Sequence, residues 1–144
     1  MTKLLLSVHV LAAILAIGPV AVAASAFPRY VREPAGAAPE TAAHLHRVCR
    51  AYTVLGVAVP AFGVATGARM GVLTDAWLLA SVVITALAAV LLLSAILPGQ
   101  RRLLAAPGVR AEAARLAMVT GIFNLLWATV VVLMIVRPGS TTGA

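Results

Sequence analysis

Acidic residues are almost absent from this chain. Glu33, Glu40, Asp75 and Glu112 are the only four in 144 residues. None lies inside a long apolar run. A proton-coupled pump or exporter that works through a membrane-embedded acid is therefore disfavoured. So is a small multidrug exporter, which has four spans but relies on a glutamate in the first. Cysteine is equally scarce. Cys49 stands alone, so no internal disulfide can form, and the redox compartment is left open. Charged residues make up 10% of the chain against 62% hydrophobic. That is too little polar surface to cover a water-soluble core. The sequence also has no phosphate-binding loop, no serine nucleophile constellation and no zinc-ligand spacing.

What fills the chain instead is four apolar runs: Leu4–Phe27, Ala51–Gly67, Ala76–Leu97 and Leu116–Val136. A helix needs about 20 such residues to cross a bilayer, and the second run reaches that length once its flanks carry it to residue 70. The expected fold is all-α, a single integral membrane domain over residues 1–144. Its four-helix bundle has spans near 4–27, 51–70, 76–97 and 116–136. The net charge of +7 does not point to nucleic acid, because the basic residues are not gathered on one face. They stand beside the runs, where lipid headgroups meet them. Arg29, Arg32, Arg47 and Arg50 flank the first connection, and Arg101, Arg102, Arg110 and Arg115 the third. The other face holds Lys3, Arg69 and Arg137, so the split is 8 to 3. The positive-inside bias then places connections one and three in the cytoplasm and both termini outside. Trp77 would be an interfacial aromatic at the outer end of the third span.

The opening Met1–Ala26 also has features of a secretory signal, with small residues Ala24-Ser25-Ala26 where cleavage could fall. Its apolar run is longer than a usual signal core, and cleavage would strand four arginines outside. A retained first span is the expectation. Prolines at 28, 34 and 39 with Gly36 break the first connection, Pro28–Ala43, and a second helix is expected to begin near Pro39. Glu112 suits the first turn of the fourth helix. Breaks are expected at Pro98-Gly99 and Pro107-Gly108, a stop at Arg137-Pro138-Gly139, and a frayed tail over Ser140–Ala144. The short second connection makes spans two and three expected antiparallel neighbours. A faint echo, Ser25-Ala26 before Pro28-Arg29 and Ser94-Ala95 before Pro98 and Arg101, is what two hairpins of the same orientation would leave.

Helices meet in lipid through close packing and hydrogen bonds, so their interfaces collect small residues. Cys49, Thr53, Gly56, Pro60, Gly63 and Gly67 form such a stripe, with a GxxxG pair at Gly63 and Gly67, and make span two the expected most enclosed helix. Pro60 removes the partner of the Gly56 carbonyl, which predicts a kink. Span one offers His9, Ala12, Ala13, Ala16, Val20 and Ala23, with Leu11, Ile14, Leu15 and Val22 facing away. Span three offers Ser81, Thr85, Ala88 and Ala95. Span four offers Ala117, Thr120, Gly121, Asn124 and Ala128.

His9 is the one titratable side chain well inside a span, about 9 Å below its boundary at 1.5 Å per residue. An ionisable residue there is costly and thus a functional candidate. One ring nitrogen suits haem or a metal. The bland alternative is a neutral imidazole bonded to a neighbouring hydroxyl or carbonyl. Met134, near the outer end of span four, is the conceivable second ligand. His44 and His46 lie most of a bilayer away and diverge on a helix, so they are expected at the interface. Asn124, near the midplane, is expected to bond across helices. No catalytic residue emerges.

The stretch Leu4-Leu5-Leu6-Ser7-Val8-His9-Val10-Leu11-Ala12-Ala13, followed by Gly18-Pro19 and Phe27-Pro28-Arg29-Tyr30, resembles small bacterial integral membrane proteins grouped as domain of unknown function 2269. The resemblance covers most of the chain and implies a four-span fold in a bacterial cytoplasmic membrane, with no implied activity. A more distant likeness is to the CopD copper-resistance proteins and the HemJ protoporphyrinogen oxidases, which also begin with a helix carrying an early histidine. In HemJ proteins that histidine binds haem, which would transfer to His9 alone. Unlike those proteins, this chain has no tryptophan following His9, and Pro28-Arg29 stands about one helical turn later than their Pro-Arg.

Three functions follow as expectations. The first is a non-enzymatic, self-associating or accessory membrane subunit whose partners are lipid, a second copy or a larger complex. The second is a haem- or metal-linked redox protein using His9. The third is a small-solute transporter with Asn124 in its path.

Overall fold

The computed structural model describes residues 1–32 and 39–140. Among them there are helices and turns but no strand. Helix α1 spans Thr2–Val31, α2 Pro39–Gly56, α3 Ala58–Met70 and α4 Ala76–Leu91. A π-helical turn, Leu92–Ile96, joins α4 to α5 (Leu97–Ala105), and α6 covers Arg110–Val136. Taken with their continuations, α1, α2–α3, α4–α5 and α6 are four rods, each long and apolar enough to cross a membrane. Glu33, Pro34 and Gly36 of the first connection lie outside the described residues, as does the tail from 141 to 144.

The breaks follow the local chemistry only in part. The second rod is interrupted at Val57, between α2 and α3, where Pro60 withholds the N–H that the Gly56 carbonyl would accept. The first connection, however, does not begin at Pro28. Helix α1 continues through it to Val31, with Pro28 buried and its neighbour Phe27 wholly enclosed. The gain from packing this last turn outweighs one lost hydrogen bond. Ala24, beside the possible cleavage point, belongs to the same core. Pro98-Gly99 does not end the third rod either. The missing N–H of Pro98 falls just after the π turn, and the helix absorbs the defect by one wide turn before resuming. At Pro107-Gly108 the chain does turn, with Gly108 at φ +94°, and the Gly108 N–H donates to the Val31 carbonyl at 2.9 Å. That bond ties the third connection to the end of α1. Helix α6 stops at Arg137, which is left-handed at φ +48°.

The rods pair as two hairpins. Helix α1 packs along α2 and α3, and α4 packs along α6, with α1 also touching α6. Helices α3 and α4 barely meet although only a short turn separates them. Next to their connection spans two and three therefore hardly pack, contrary to expectation, and their rods meet only at the far end, through α2 and α5. The second rod is also the least enclosed: 6% of its most apolar stretch is buried, against 17–22% for the others. Its small residues leave space beside it rather than drawing a helix in. The main core instead unites Val20, Phe27, Cys49, Ile96, Leu103 and Phe123 toward the arginine-rich end.

Span one presents the expected stripe, with His9, Ala16, Val20 and Ala23 buried and Leu11, Ile14, Leu15 and Val22 exposed. Span four does not. Its inward face is Ala113, Leu116, Thr120, Phe123 and Val130, while Gly121 and Ala128 are exposed. Nothing stands within 4 Å of a Cβ added at Gly121. Gly121 is thus not a point of close backbone approach. In the third rod the wide turn adds a residue to the register. Ile96 takes the core position, and the expected Ala95 is half-buried.

Candidate functional site

Because α3 and α4 part, a cleft of about 500 Å³ runs between the hairpins. It lies alongside Gly56, Pro60 and Gly63, opposite Thr85, Trp127 and Met134. Its wall is almost entirely apolar, and His9 is the only histidine on it, with no acidic residue, lysine or arginine among the lining side chains. Lining side chains Val64, Leu79 and Val82 are also exposed at the surface, so the cleft opens sideways.

Helix geometry aims His9 into this space. It is 7% exposed, on the same face as Ala13, Ile17 and Val20, which line the cleft below it. Its Nδ1 donates to the Val59 carbonyl at 3.1 Å. A carbonyl oxygen can only accept, so Nδ1 carries the proton and Nε2 keeps its lone pair. Nε2 has no hydrogen-bond partner among the described residues. Gly63 makes the approach possible: a Cβ there would stand 2.9 Å from His9 Cε1. Gly67 plays the same part for Leu78, whose Cδ2 would be 2.9 Å from an added Cβ. The two glycines of the GxxxG pair thus receive side chains, one an imidazole and one a leucine, rather than a facing helix backbone. Gly56 borders the cleft with nothing within 4 Å of its Cβ position.

Asn124 donates from Nδ2 to Ser25 Oγ at 2.9 Å, a bond between α6 and α1. It does not line the cleft. Beyond the lining residues Leu78 and Met134, Trp77 is buried against both and its Nε1 donates to Asp75 at 3.1 Å. The Arg137 guanidinium lies over the Trp77 ring, 5.4 Å from its centre, and its Nε donates to the Met134 carbonyl at 3.1 Å.

A second polar group lies near the arginine-rich end. His46, expected at the interface, is 6% exposed and turned into the protein. Its Nδ1 donates to Gln100 Oε1 at 2.8 Å, and Gln100 Nε2 donates to Cys49 Sγ at 3.5 Å. Gln100 and Cys49 are fully buried. Sequence reasoning missed Gln100 because Pro98-Gly99 reads as a loop. The available signal was on α2, where His46 and Cys49 stand three apart and share a face. His44 is exposed.

A bare metal ion has too few donors here: among the described residues no three His, Cys, Asp or Glu side chains gather. Haem asks less of the protein, since its porphyrin fills four positions. His9 and Met134 both line the cleft and are among the residue types that hold haem iron. Compared with known proteins, the chain matches no family model, no curated protein and no solved structure.

Proposed function

We propose that this chain is a non-enzymatic, four-span protein of a bacterial cytoplasmic membrane, resembling the domain of unknown function 2269 proteins. In this reading both termini lie outside, and the cleft holds an apolar ligand taken from the lipid phase. The observation that carries this reading is the sideways-open, apolar cleft with the partnerless Nε2 of His9 on its wall. Ligand sites of this size are apolar with a few placed polar groups. Exposed small-residue surfaces at Gly18 and Gly121, open beyond their Cβ positions, leave room for self-association or an accessory place in a larger complex. The transporter reading gains little, because Asn124 is engaged with Ser25 away from the cleft. Native mass spectrometry of protein released from mild detergent tests the proposal. Wild type should retain a ligand mass, and Ala89→Phe, which puts a ring into the cleft, should lose it. Equal ligand retention in both would overturn the reading.

A second reading, a haem-linked redox protein, is favoured by one feature. The Nδ1–H to carbonyl bond is how ligating histidines are commonly oriented, with the other nitrogen left for iron. His9 and Met134 would be the residues to hold the group, and haem when bound would supply one-electron chemistry. A Soret band lost in His9→Ala would support it, and a colourless preparation from haem-replete cells would count against it.

A further inference from the structure

The cleft has a shape and a charge, and together they specify an occupant within the ligand-holding reading on which this inference rests. Along α4 its lining runs from Leu78 to Leu92, about 20 Å at 1.5 Å per residue. The lining is continuous and almost wholly apolar over that length, which suits an extended hydrocarbon chain. The sideways gap between α3 and α4 leaves a second chain free to lie outside. At the end of the cleft marked by its lining residue Met134 stands Arg137, on the face that also carries Lys3 and Arg69. Arg137 spends only Nε on the Met134 carbonyl, and its two terminal nitrogens make no hydrogen bond among the described residues. Asp75 is the only acidic residue near that end. It is engaged by Trp77 Nε1 and makes no ion pair with Arg137. The Trp77 ring and the Met134 carbonyl hold the guanidinium at this end of the cleft. A planar guanidinium fixed in this way is suited to two oxygens of a phosphate.

We propose that the cleft binds one chain of an anionic two-chain phospholipid, with Arg137 on its phosphodiester headgroup. Headgroup selectivity then resides in Arg137, and chain binding in the cleft below it. The test is native mass spectrometry after incubation in nanodiscs of equimolar phosphatidylglycerol and phosphatidylcholine. Wild type should retain phosphatidylglycerol at least fivefold over phosphatidylcholine. Arg137→Gln should bind both about equally, and Arg137→Lys should keep part of the preference. Arg69→Gln, which removes the same charge from an exposed site on α3, should leave the preference unchanged. Equal retention of both lipids by wild type overturns the headgroup assignment while the ligand-holding reading stands. Loss of preference in Arg69→Gln as well reduces the effect to net charge and also overturns it. Retention of neither lipid overturns both.

Discussion

His9 and Gly63 are in direct contact across α1 and α3: the imidazole edge occupies the space where any larger residue would place its Cβ, 2.9 Å from Cε1. The same ring is held by its bond to the Val59 carbonyl, one turn earlier on α3. The pair therefore fixes the depth of the one histidine on the cleft wall.

Gly63→Ala should push the ring off the Val59 carbonyl and cost about 1–3 kcal/mol, the usual range for overpacking. In a His9→Ala background the same change should cost little, because the clashing ring is gone. Unfolding titrations in mixed micelles on all four combinations measure the coupling. Additive costs would show that the two residues do not touch. Gly18→Ala is the control, with nothing within 4 Å of the added methyl.

The bond between His46 and Gln100 joins α2 to α5 where both are buried. A double-mutant cycle of His46→Phe and Gln100→Leu should give a coupling of about 0.6–1.7 kcal/mol, the range for such bonds between membrane helices. Each single change should cost more than the double, since it leaves a buried polar partner unsatisfied. A double cost equal to the sum of the two single costs would leave the bond without energetic weight.

Much of this fold is legible in residue periodicity. The runs of apolar residues give four rods, and span one shows its inward face because large and small side chains alternate cleanly between Leu11 and Ala23. Small residues misled where size was equated with contact. Gly121 faces outward, and the glycines of the second rod border a cleft. Helix-breaking residues misled where packing overrode them, at Pro28 and at Pro98. Gln100 became visible only once the wide turn before Pro98 had rotated the helix beyond it. His9 was legible because an imidazole in an apolar run is rare. The cleft beside it was not, because it arises from two helices failing to meet.

The arrangement of arginines sets an orientation that surface labelling can check. In a Cys49→Ser background, Thr74→Cys lies in the exposed turn before α4 and Pro107→Cys in the exposed turn before α6. A membrane-impermeant thiol reagent applied to intact cells should label the first at least tenfold more than the second. The reverse pattern would invert the proposed topology and put the cleft mouth on the cytoplasmic side.

The central claim is that a hydrocarbon chain lies in the cleft, and Trp127 is placed to report it, being a lining residue set between the hairpins. In a Trp77→Phe background, Trp127 fluorescence should be quenched by phospholipids brominated along the chain, and Ala89→Phe should relieve at least half of that quenching. Quenching that is absent, or that Ala89→Phe leaves unchanged, would contradict the claim.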